Sequence, residues 1–112
     1  MRALLLTLSA RTPVTVVYPE ECEHELSTNL PDLVLRSAST GRIVRLFAIE
    51  TRCSLTRPWP ERWHELATIA HLTIIVPKGM VRDVERLLLR TDARIVEYER
   101  GSAGEIVFTP PL

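Results

Sequence analysis

The chain has 112 residues, 46% of them apolar and 25% charged, which suits one globular domain with a core that needs no staple. Formal net charge is zero, so bulk charge argues against tight sequence-blind binding to nucleic acid, which a basic excess would drive, and leaves only a local patch open. The two cysteines, Cys22 and Cys53, have neither CxxC spacing nor a histidine pair beside them, which argues against zinc and for idle thiols in a cytoplasmic protein, and no apolar stretch is long enough to span a membrane.

The opening run Met1-Arg-Ala-Leu-Leu-Leu-Thr-Leu-Ser-Ala10 has one basic residue and a short apolar core. As a secretory leader it would have to finish by Ala10, short of the roughly 15–30 residues such a leader takes. It reads as a short buried element, and its lack of period leaves helix and strand both open. Val14-Thr-Val-Val-Tyr18 is β-branched and aromatic and is bracketed by prolines, which predicts a strand. Glu20 to Pro31 is polar and irregular and reads as a loop. Asp32-Leu-Val-Leu-Arg36 and Arg42-Ile-Val-Arg-Leu-Phe-Ala-Ile-Glu50 are two further strands around the turn residues Ser37 to Gly41, so they should pair as an antiparallel hairpin.

A helix follows, with Pro60 in its first turn and Glu61 near the positive end of its dipole. Trp59, Trp63, Leu66, Ala67 and Ala70 share helical spacing and predict one apolar face. Leu72-Thr-Ile-Ile-Val76 is almost wholly apolar, as in a central strand covered on both sides. Pro77-Lys-Gly79 breaks it, and a second helix should turn Met80, Val84, Leu87 and Leu88 inward and Arg82, Asp83, Glu85, Arg86 and Arg90 outward. Arg94 to Tyr98 is another strand, parallel to Leu72–Val76 through a right-handed crossover, and Glu105 to Thr109 an edge strand.

Chemistry centres on the hairpin. Opposed positions in an antiparallel pair sum to a constant, and a turn centred near Gly41 sets Asp32 opposite Glu50, give or take two residues. Two carboxylates on one face at one end of a hairpin repel, and a divalent cation would relieve that, since Mg²⁺ is held by one or two carboxylates plus water and substrate phosphate. Such a metal lowers the pKa of bound water and neutralises phosphate charge. Arg52, two residues after Glu50, points to the same face, where a cation could contact a phosphodiester. The plainer alternative is that both carboxylates are merely solvated strand ends.

The run Pro31-Asp32, hairpin, Ala48-Ile49-Glu50-Thr51-Arg52, helix, and Leu72 to Pro77 resembles the PD-(D/E)xK nuclease superfamily, the restriction-endonuclease-like fold, best from about Val14 to Pro77. That core runs helix, three-stranded meander, helix, strand. The resemblance implies Asp32 and the acidic residue of the second motif as Mg²⁺ ligands, and a lysine that helps activate water. With Glu50 as the acidic residue, Arg52 stands where lysine belongs, and an arginine, always protonated, clamps phosphate but is a poor proton acceptor. In a frame two residues earlier, Ala48 takes the acidic place and Glu50 the lysine's, and the site is broken. Strand parity allows either frame.

Other groups are weaker. Glu20, Glu21 or Glu23 could add a metal ligand but read as a solvated loop, and His24, His64 and His71 are scattered without zinc spacing. Lys78, the only lysine, sits in Lys78-Gly79 without the rest of a phosphate loop. Arg36, Arg42, Arg45, Arg52, Arg57 and Arg62 fall on or near the hairpin and the next helix. As one surface, with Arg36, Arg52, Arg57 and Arg62 on the phosphates, they would offset the neutral total. The expectation is therefore an α/β domain, a mixed sheet with helices on its faces and a restriction-endonuclease-like core. Its function is nuclease-like, either Mg²⁺-dependent cleavage of DNA by Asp32, Glu50 and Arg52 or, alternatively, an inactive module that binds nucleic acid or a protein, with a homodimer as a further expectation.

Overall fold

The structure is a computed structural model that describes residues 4–9, 12–17, 31–88 and 90–112. Glu20, Glu21, Cys22, Glu23 and His24 lie outside the described residues. One mixed sheet holds seven strands in chain order: β1 (Leu4–Ser9), β2 (Thr12–Val17), β3 (Leu33–Ser37), β4 (Ile43–Ile49), β5 (His71–Pro77), β6 (Ala93–Arg100) and β7 (Ile106–Thr109). Helix α1 (Pro60–Ile69) joins β4 to β5, and α2 (Val81–Leu88) joins β5 to β6.

Within the opening run, Leu4–Ser9 is strand. It pairs antiparallel with β2, with a bulge between Thr7 and Ser9 beside Pro13, which has no amide hydrogen to give a ladder. Strands β2, β3 and β4 form an antiparallel meander, β4, β5 and β6 are parallel, and β7 returns antiparallel. The part of the expected order from meander through α1 to β5 is present. A helix ahead of the meander is not, among the described residues; β1 stands in that place.

The expectation of helices on the sheet's faces is corrected in one respect, because both pack on the same face. Trp63 and Leu66 of α1 and Val84 and Leu88 of α2 share one cluster with Val34, Leu46, Ala48, Leu72, Ile74 and Val76. The cause is topological. Two successive right-handed crossovers stepping the same way along a sheet leave their helices on one side. The opposite face has its own cluster, Leu35, Phe47 and Ile75 with Leu33, Val44, Tyr98 and Phe108 packed against it. Strand β5 is buried from Leu72 to Pro77, as its apolar run predicts.

Trp59 departs from the predicted apolar face of α1 and is 57% exposed. It is the N-cap, at φ −123° and ψ 75°, so helical spacing does not reach it. Helix α2 follows expectation: Val84 and Leu88 are buried, and Arg82, Asp83, Glu85 and Arg86 are exposed. Gly79 takes φ +88° in the turn from β5 to α2, a conformation that suits glycine.

Candidate functional site

Asp32 and Glu50 lie at one end of the hairpin, beside the C-terminal ends of β4 and β5. Leu33 pairs with Phe47 and Val34 with Leu46, a register within two residues of the predicted one. Asp32 extends the ladder past β3: its amide donates to Phe47 O at 2.8 Å, and its Oδ2 accepts the Ile49 amide at 2.6 Å. The Glu50 amide donates to Ile75 O at 2.8 Å, and its carbonyl accepts the Tyr98 hydroxyl at 3.3 Å.

The Glu50 side chain points under α1 and is buried. Its Oε1 accepts the Trp63 indole N–H at 2.9 Å, and its Oε2 accepts the Ser54 hydroxyl at 2.7 Å. A buried carboxylate needs such partners, and a buried indole N–H needs an acceptor. The Arg62 guanidinium then spans both acids, with Nη1 at 3.6 Å from Glu50 Oε1 and Nη2 at 3.7 Å from Asp32 Oδ2. The like charges that sequence reasoning brought together are thus bridged by an arginine from α1. Among the described residues, no group of three or more His, Cys, Asp or Glu is placed to hold a metal.

Arg52 does not share the face of Glu50. Strand β4 ends at Ile49, and Thr51 and Ser54 cap a tight turn, with the Thr51 amide on Ser54 Oγ at 2.8 Å and the Ser54 amide on Thr51 Oγ1 at 3.0 Å. Face alternation holds only along extended backbone, so the parity that would place Arg52 beside the acids is lost. Its guanidinium instead reaches the β5–α2 turn, donating to Lys78 O at 3.3 Å and lying 3.7 Å from Met80 Sδ. Arg36 is at the other end of the hairpin, donating to Gly41 O at 2.7 Å. Lys78 pairs with Glu99 at 3.2 Å.

Of the four arginines expected on nucleic acid, Arg57 and Arg62 come together. They line a pocket of about 270 Å³ with Glu50, Trp59, the residues Ser54 and Thr56 of the short 3-10 turn at Ser54–Thr56, and Cys53 just before that turn. A larger hollow of about 530 Å³ lies between α1 and α2, but Glu61 and Glu65 are among its lining residues, a poorer setting for an anion. Sequence reading missed Ser54, Trp63 and Trp59 as parts of the site. A signal existed for Trp63: an indole on a buried helix face implies an acceptor nearby.

Compared with known proteins, the chain matches no protein-family model, no curated protein and no solved structure. None of the described helices is long and apolar enough to cross a membrane.

Proposed function

We propose that this domain is a nuclease-like module that binds nucleic acid without metal-dependent cleavage. The observation that carries the reading is the Arg62 guanidinium, set between Asp32 and Glu50 where the resemblance would set Mg²⁺. A cation there would have to displace this ion pair, while the Trp63 and Ser54 hydrogen bonds already hold the buried Glu50 carboxylate in place without one. Arg52, the group in the lysine's place, is turned toward Lys78 O, and arginine is a poor base in any case. The meander, helix and strand of the restriction-endonuclease-like order support the nuclease-like part of the reading, and Arg57, beside the engaged Arg62, supports phosphate contact.

Titration with Mn²⁺, followed by its electron paramagnetic resonance signal, tests the first half. Free Mn²⁺ should stay free at protein concentrations of the order of those in cells. One tight site, lost in Asp32→Ala, would overturn the reading in favour of a metal enzyme. Anisotropy of labelled oligonucleotides at several salt concentrations tests the second half: affinity should fall as salt rises.

A further inference from the structure

We infer that the pocket beside Glu50 takes a single unpaired nucleotide of a strand, with its base on Trp59 and its phosphodiester on Arg57. This rests on the nucleic-acid reading above and narrows it to single strands.

Trp59 is the first ground. More than half of it is exposed, although α1 offers an apolar face directly beside it. It sits in Arg57-Pro58-Trp59-Pro60. Each proline fixes its own φ and disfavours the helical region for the residue before it. Arg57 accordingly has φ −132° and ψ 70°, and Trp59 has φ −123° and ψ 75°. Both side chains therefore leave a backbone held stiff before any ligand arrives, which lowers the entropy lost on binding. An exposed indole on a stiff support is a stacking platform for a base.

Charge is the second ground. Arg62 is engaged by Asp32 and Glu50, whereas Arg57 has no hydrogen bond or ion pair among the described residues. One uncommitted cation matches a phosphodiester with its single charge better than a terminal phosphate monoester, which carries about −1.5 to −2 at neutral pH. The pocket's volume of about 270 Å³ is small for a closed ligand site, as fits one unit of a strand whose neighbours run out into solvent. A duplex hides its base faces, and the neutral chain has little further charge with which to hold its backbone.

The test compares a fluorescent oligo-dT with a hairpin duplex of the same sequence length by anisotropy, using the full chain. The single strand should bind at least tenfold tighter. Trp59→Ala should weaken it about fivefold or more, with Trp59→Phe recovering most of the loss, as stacking of each base predicts. Arg57→Ala should weaken binding and flatten its dependence on log salt by about 0.7, the share of one single-strand phosphate. Both residues are exposed, so unchanged thermal melting confirms that the variants fold. The oligonucleotide should also slow alkylation of Cys53, read on its own peptide. Equal affinity for both forms, or full affinity in Trp59→Ala, would overturn the inference and leave nucleic-acid binding standing. No binding of either form would overturn both.

Discussion

Glu50 and Arg62 hold each other in place, and each can be tested by removing it. Glu50→Ala strips the buried Trp63 indole of its acceptor and leaves Arg62 short of a partner, which predicts a loss of about 2–4 kcal/mol in urea unfolding. A change below about 0.5 kcal/mol, the ordinary surface value, would contradict a structural role. Arg62→Ala leaves two carboxylates without the cation between them, so the variant should melt lower than wild type, and Mn²⁺ should raise its melting temperature while leaving wild type unmoved. Arg52→Ala should do little to either stability or binding, because its contacts are exposed ones at the β5–α2 turn. The convergence of Asp32 and Glu50 was legible in the sequence because hairpin register is simple arithmetic. Arg62 was expected near the site as a phosphate contact, but its place between the two acids was not legible, because it depends on how α1 docks, which no local spacing encodes. Arg52 was misplaced because the alternation rule was carried two residues beyond the end of the strand.

Strands β3 to β6 and both helices follow their sequence patterns to within a residue or two at each end, since apolar period and proline or glycine punctuation agree there. The opening run could not be assigned without tertiary context. An apolar run without period fits either element, and pairing with β2 makes it strand. Trp59 was read as core because it falls on the helical repeat, but a residue at the N-cap is not yet helical. Thr73 on the central strand is fully buried, with no partner for its hydroxyl among the described residues. Thr73→Val should therefore hold or raise stability, by up to about 1 kcal/mol, and a loss greater than that would mean the hydroxyl has a partner. Gly79→Ala should cost about 1–2 kcal/mol through its positive φ, with nothing nearby for the new methyl group to meet.

Across the whole molecule, the sheet changes from antiparallel to parallel at β4, and the candidate site lies at the ends of the first two parallel strands. Ligands in α/β sheets commonly bind outside the carboxyl ends of strands. Here the fold delivers Glu50 from just past β4, Asp32 from just before β3 and Arg62 from α1 to that end, while acidic and basic residues balance over the whole chain. The most direct test of the central claim is incubation of the wild-type chain and Asp32→Ala with plasmid and single-stranded DNA in Mg²⁺ or Mn²⁺. An arginine in the metal's place predicts intact substrate with both proteins. Metal-dependent nicking by wild type that Asp32→Ala abolishes would contradict it and make the two carboxylates the ligands of a working nuclease.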